Sequence, residues 1–403
     1  MCSIVKNLIE LTCEIRTSAF AGRIAEEAEW LPACSGNTGY YRATYMSFQL
    51  HAVGGIEAAD SLPVPPELPK GLRVTKVFDT FWRFAAERQE IFFNRLACSP
   101  PPWTDDEILR KNKFTNVYRA SDRVSQYLIK NVIPSGSPSE RELFFRIILF
   151  KLFNRIETWE LLLKEFGEIS WGAYSFERYD VVLSRALELG QRVYSAAYIM
   201  PSGGKADRKH RHHLQLLERM LNEAVPSRLQ ACKTMQEGFE LLRSYPSIGD
   251  FLAYQFVTDL NYGEITDFSE MEFVKPGPGA RDGMKKCFEG VGSSSPQRII
   301  RWMVDTQEAQ FRRVGVRFRT LWGRRLQLID CQNVFCEVDK YARHAHPEFT
   351  GVSGRSRIKQ RFKASPGSIE YFYPPKWRIN QNVQAFGAGW GQSASVAEFN
   401  AAD

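Results

Sequence analysis

The chain is 403 residues long, 44% hydrophobic and 25% charged, and its 53 Lys and Arg against 46 Asp and Glu leave a net charge of +7. That apolar content supplies a sizeable core and excludes a disordered or collagen-like chain, and no run of about 18 apolar residues is present to cross a membrane. The mild basic excess permits a nucleic-acid partner without requiring one. Met1 to Glu14 has no clean apolar stretch and no small-residue cleavage site, so no signal peptide is read and a cytoplasmic monomer is expected. The eight cysteines form no CxxC pair, which points to reduced thiols packed as small hydrophobes rather than to a metal centre.

In chain order, residues 1–70 read as a partly irregular N-terminal extension that closes on the Pro-rich Ser61 to Lys70. Apolar residues at helical spacing run from Val74 to Leu96, and Pro100 to Pro102 end that helix. Thr104 with Glu107 three residues on reads as a capping box opening the next one. Further helices are expected over Ala120–Val132, Ser139–Phe153, Ile156–Phe166, Ser175–Leu189, His212–Asn222, Leu229–Arg243, Gly249–Asn261, Arg281–Phe288, Ser295–Gln310 and Val334–Tyr341. Strand signals are limited to Gln191–Met200 and Leu326–Asp330. Residues 346–403 read as a basic, partly disordered tail. The pattern predicts an all-α, mainly helical domain over 71–345 with irregular extensions at both ends.

Leu241 to Leu260 carries a tight Pro246-Ser247-Ile248-Gly249 turn between two helices, the layout of a helix-hairpin-helix. Backbone N–H groups at Ser247, Ile248 and Gly249 would then face a DNA phosphate, although short helical hairpins with a Gly also serve purely structural ends. Phe273 to Phe288 is a Gly/Pro-rich loop leading to Asp282, read in the first turn of a helix, where a carboxylate serves either as a cap or as a group aimed outward to stabilise a developing cation. Phe311 to Arg325 holds six arginines and no acid, with Phe318 and Trp322 interleaved, and Arg355 to Lys363 adds five more cations. Such runs give salt-sensitive affinity for phosphates, or form solvated faces balanced by acids elsewhere. Arg312, Arg313, Arg317, Arg319, Arg324 and Arg325 are the expected duplex contacts. His210, His212 and His213 lack a completing Cys or carboxylate, so no metal is expected. Neither GxxxxGK[ST] nor GxGxxG occurs, which leaves the chain without a P-loop or a dinucleotide fingerprint.

The hairpin, the Gly/Pro loop and the Asp-led helix together resemble the helix-hairpin-helix DNA glycosylases, which implies a two-lobed fold around a cleft, with a monovalent cation at the hairpin left open as a cofactor and none other expected. Against that family the spacing from Gly249 to Asp282 is long, so Asp259, Asp267, Glu270 and Glu272 stand beside Asp282 as candidate carboxylates. Phe251 stands where bifunctional members carry a Schiff-base Lys, which implies a monofunctional enzyme. Phe81-Trp82-Arg83-Phe84, Pro102-Trp103-Thr104, Phe114 to Arg119, Asp122-Arg123, Gly277 to Ala280 and Cys336 to Tyr341 look like the alpha-glutamyl/putrescinyl thymine pyrophosphorylase group, the amino acid:DNA transferases of phage DNA hypermodification. That group in turn resembles an anti-phage DNA glycosylase that removes glucosylated 5-hydroxymethylcytosine.

The expected function is therefore a monofunctional glycosylase that flips a bulky modified pyrimidine out of double-stranded phage DNA and leaves an abasic site. Asp282, Glu272 and Glu270 are its candidate catalytic acids. Asn116, Tyr118, Trp103 and Arg119 would form the base pocket, with Asn116 reading an edge and the aromatic rings offering stacking faces. The alternative is a transferase that attaches an amino acid or polyamine to a pyrophosphorylated 5-hydroxymethyl pyrimidine, with Asp330, Glu337 and Asp339 holding the amine.

Overall fold

A computed structural model of the chain describes residues 67–196, 200–202, 208–363 and 370–392. The expected N-terminal extension up to residue 66, part of the expected strand near residue 200 and the last eleven residues lie outside these. The described chain is built from helices: α1 (Lys76–Leu96), α2 (Glu107–Lys111), α3 (Arg123–Tyr127), which runs on as a π turn (Leu128–Val132), α4 (Glu140–Phe153), α5 (Ile156–Phe166), α6 (Phe176–Glu188), α7 (Lys209–Asn222), α8 (Val225–Ala231), α9 (Met235–Arg243), α10 (Asp250–Leu260), α11 (Pro278–Cys287), α12 (Pro296–Arg313), α13 (Leu328–Ala345) and α14 (Asn380–Gln392). Two two-residue strands, β1 (Arg73–Val74) and β2 (Phe288–Glu289), pair antiparallel beside α11. The all-α expectation holds. No described helix is long and apolar enough to cross a membrane.

Local chemistry fixes the boundaries. The Thr75 hydroxyl accepts from the Val77 N–H at 3.1 Å to open α1, and Ser295 accepts from Arg298 at 3.2 Å to open α12, with Pro296 at the first helical position. Thr104 and Glu107 do not form the expected box. Thr104 donates instead to Glu87 (2.5 Å), and Asp106 caps α2 by accepting from the Leu109 N–H at 2.9 Å. The helix expected over Leu229–Arg243 is broken at Cys232–Thr234, because Thr234 caps a new start by accepting from the Glu237 N–H. Leu326–Asp330 is no strand: Gln327 and Asp330 form a reciprocal capping box that starts α13 six residues before Val334. Gln191 to Ala196 has no regular structure.

α4 and α10 sit at the centre. In α4 every residue from Leu143 to Phe153 is buried, as a helix apolar on all sides must be. α10 is buried from Leu252 to Leu260. α4 carries Arg146 and Lys151 into the core, and α10 carries Asp259, which meets Lys151 there. Alongside, α11 lies against α13 at backbone contact: a Cβ added to Gly283 would stand 2.1 Å from the Phe335 carbonyl oxygen.

Candidate functional site

Phe114 to Asp122 has no regular structure beyond a 3-10 turn at Arg119–Ser121, yet Val117 to Ser121 are buried. Buried backbone groups outside a helix need partners, and α13 provides several of them. Glu337 accepts from the Thr115 N–H (2.9 Å), Asp330 from the Arg119 N–H (3.0 Å), and the Asn333 amide donates to the Asn116 carbonyl (2.8 Å). The Tyr118 hydroxyl donates to the Arg324 carbonyl and accepts from the Leu321 N–H.

Below this segment the Arg119 side chain enters the core. Its guanidinium donates to Gln255 (2.9 Å), Tyr262 (3.0 Å) and Asp259 (2.9 Å), and Lys151 lies 3.2 Å from the same carboxylate. Burial alone would push the Asp259 pKa up, but the Arg119 and Lys151 charges outweigh it and hold Asp259 below the ordinary carboxylate range.

Above the segment lies a second group of polar side chains. Asp122 accepts from the Asn116 N–H at 2.8 Å, and Asn116 accepts from Arg88 at 2.8 Å while donating to the Ser121 carbonyl. Tyr371 comes within hydrogen-bond reach of Asn116 and packs on Phe92 at 4.9 Å between ring centres. It is held there by its neighbours, since Phe372 donates its N–H to Gln126, and the Tyr373 hydroxyl shares a hydrogen bond with Ser121. Part of the stretch read as a disordered tail is thus built into the site. Burial raises the Asp122 pKa to about 7, beyond what the Asn116 N–H and the Arg88 charge draw back. A partly buried carboxyl balanced near neutrality, beside a guanidinium and a phenol, is suited to taking a proton from a bound hydroxyl.

Residues 75–351 match the family described as the helical domain of 5-hmdU DNA kinase. The chain belongs to that family. A curated 5-hmdU DNA kinase of Bacillus phage SP10 is 24% identical over 324 residues, which are 74% of this chain and 50% of the phage protein. The chain therefore spans about half the length of this relative. No solved structure matches it. The link to phage DNA-modification enzymes stands, whereas the match does not extend to the pyrophosphorylase or glycosylase group. A kinase is a transferase, and this corrects the glycosylase expectation: the hydrolase reaction, base excision and the abasic product are withdrawn.

The carboxylates expected to serve that hydrolysis are placed for other work. α11 starts at Pro278, so Asp282 stands in its second turn rather than its first. It is buried beneath Gly351 and accepts from the N–H (2.9 Å) and hydroxyl (2.5 Å) of Ser353, which stitches α11 to the loop after α13. Glu270 pairs with Arg324 at 2.9 Å and accepts from the Trp377 indole at 3.1 Å. Glu272 is exposed and lines an open cleft of about 520 Å³ with Phe239, Lys275, Arg298 and Arg301.

Of the expected base-pocket residues, the structure brings Asn116 to the site, while Tyr118 and Arg119 are buried beneath it. Trp103 packs edge-on to Phe362 and donates its indole N–H to the Ser99 carbonyl. The α9–α10 hairpin forms, with Ser247 at a φ of 66° and its hydroxyl sharing a hydrogen bond with His212. Ile248 is buried, Gly249 is exposed, and Asp250 in the first turn of α10 is paired with Lys275 at 2.9 Å and with Arg243. A carboxylate thus already occupies this helix start. Phe251 packs beneath Gly277, where an added Cβ would meet its ring at 2.8 Å.

The two basic runs differ. Within 311–325, Arg313 pairs with Asp79, Arg319 with Glu90, Arg324 with Glu270 and Arg325 with Glu308, while Arg312 and Arg317 are exposed. In 355–363 all five cations are exposed and none forms an ion pair among the described residues. This second run lies along 111–113 through an Asn112–Arg361 bridge and the Lys113 N–H to Gln360 carbonyl bond. Sequence reasoning passed over Arg88 and Tyr371. Arg88 had a legible signal, a cation on the apolar stripe between Phe81, Ala85 and Phe92.

Proposed function

We propose that this chain carries the acceptor side of a group transfer to the 5-hydroxymethyl arm of a pyrimidine in DNA, with phosphoryl transfer to 5-hydroxymethyluracil as the reaction. The family match over 75–351 carries this reading. Asp122 takes the proton as the hydroxymethyl oxygen bonds to the terminal phosphorus of a nucleoside triphosphate. The bond from that phosphorus to the bridging oxygen breaks, and the nucleoside diphosphate leaves with the electron pair. Because the sequence holds no P-loop, the assignment is to DNA and base, not to the nucleotide donor. The unpaired run 355–363 is suited to the DNA backbone.

Coupling of an amine fits the site less well. Asp330 accepts from two backbone N–H groups, Glu337 is held by Lys340 at 2.6 Å, and Asp339 by Lys286 at 3.0 Å and Arg343 at 2.5 Å, which leaves no acid of the three open to an ammonium.

The test is fluorescence anisotropy with duplexes that differ only in one 5-hydroxymethyluracil or thymine, at a fixed salt concentration. A hydrogen bond from the hydroxyl to a charged group contributes about 1.5–3 kcal/mol, so tenfold or greater preference for the hydroxymethyl duplex is expected. Equal affinities, or release of a free base, would overturn the reading.

A further inference from the structure

Arg88 is 7% exposed. One of its terminal nitrogens donates to Asn116, while the other, Nη1, is shut off from water and has no hydrogen-bond partner. Fully buried guanidinium N–H groups are rarely left unmade, because their desolvation is costly. Arg95 lies seven residues along α1, two turns on and on the same face. Its charge acts on Arg88, its guanidinium stands 5.2 Å from the centre of the Trp103 ring, and it has no carboxylate partner among the described residues. The nearby acids do not balance the pair. Asp122 reaches Arg88 only through space, and Glu337 is already engaged by Lys340 and the Thr115 N–H. Two guanidinium groups of α1 thus act on one another beside Asn116 and Tyr371, one with a donor left unmade and neither in an ion pair with a carboxylate among the described residues.

We propose that Arg88 and Arg95 form a binding site for a phosphate monoester, the phosphoryl group carried on the 5-hydroxymethyl arm of the target base. This rests on the acceptor-side reading above. The fork of a guanidinium matches two phosphate oxygens, and a dianionic monoester satisfies both the unmade N–H and the uncompensated charge. A backbone phosphodiester offers the same oxygens with one charge fewer, so the source of the phosphate is what an experiment must separate.

Affinities are compared for three otherwise identical duplexes, bearing thymine, 5-hydroxymethyluracil or 5-phosphomethyluracil at one position, with the unmodified protein, Arg88→Lys and Arg95→Gln. Arg95 is only partly buried, which makes its variant the safer one for folding. The phosphomethyl duplex is expected to bind the unmodified protein at least tenfold tighter than the hydroxymethyl one, about 1.4 kcal/mol, with that ratio collapsing toward one in each variant. In competition, free 5-phosphomethyl-2′-deoxyuridine should displace the phosphomethyl duplex at lower concentration than inorganic phosphate. No gain from the phosphate, with the hydroxymethyl preference intact, would overturn the Arg88–Arg95 site alone. Loss of the preference between hydroxymethyluracil and thymine would instead remove the acceptor-side reading. Variants that weaken all three duplexes equally would place the pair on the DNA backbone and likewise overturn the proposal.

Discussion

Replacing Asp122 by Asn should stabilise the protein at alkaline pH while removing its discrimination of the hydroxymethyl base. In the folded chain burial raises this carboxyl from 3.8 to about 7. Between those two values the unfolded chain has released the proton and the folded chain retains it, so stability is full below the unfolded value and falls as pH rises toward the folded one. Three pKa units at 1.36 kcal/mol each set a ceiling of about 4 kcal/mol, and solvent screening of this partly exposed group brings the expectation to about 2 kcal/mol. Asn keeps the acceptor for the Asn116 N–H and never ionises. Asp330, also raised to about 7, is present in both proteins and cancels in the difference. Urea titrations followed by circular dichroism at about pH 4 and about pH 8 should therefore show the variant equal to the parent at the lower pH and more stable at the higher. A stability difference that does not change with pH would refute the reasoning.

Asp259→Ala should cost about 3–5 kcal/mol, because it leaves Arg119 and Lys151 charged in the core without their carboxylate, and a loss under about 1 kcal/mol in the same urea assay would rule out Asp259 as their anchor. Neutralising Lys359, Arg361 and Lys363 to Gln should lower the slope of log affinity for DNA against log salt by about 0.9 for every phosphate those cations neutralise, whereas Arg313→Gln and Arg325→Gln, already paired with acids, should leave the slope where it was. The reverse pattern would return the DNA interface to the first run.

Helix positions were legible wherever an apolar stripe met an obvious cap, as in α1 and α12. They were misread where a short apolar run suits either secondary structure. Leu326-Gln327-Leu328-Ile329-Asp330 alternates like a strand, and only the reciprocal bonds between Gln327 and Asp330 turn it into a helix start. The site was half legible. The stretches Phe114 to Arg119 and Asp122-Arg123 stood out through their resemblance to a DNA-hypermodification family, but which of their side chains face inward depends on partners such as Asp259, 140 positions from Arg119 in sequence. The arginine run posed the same difficulty in reverse. Six cations without an acid look like a phosphate clamp until Asp79, which is 234 positions from Arg313, arrives to neutralise one of them.

A buried ion pair is weak evidence for stability, since desolvation consumes much of what the charges gain. Its use in this protein is better understood from Arg119. The backbone N–H of that residue is fixed by α13 through Asp330, and its guanidinium by α10 through Asp259 and Gln255. The short turn Arg119–Ser121 cannot rotate without breaking several charge-assisted hydrogen bonds at once, and Asp122 is the next residue along. The position of a carboxyl that disfavours its own charge is thus set by a carboxylate that favours it. The two acids should respond oppositely to substitution. Loss of Asp259 removes the support and lowers stability, whereas loss of the Asp122 charge relieves a strain that the support imposes and raises it. Recognition of the hydroxymethyl base should fail in both cases. That opposition in sign, with a shared loss of recognition, separates a residue that positions the site from one that acts in it.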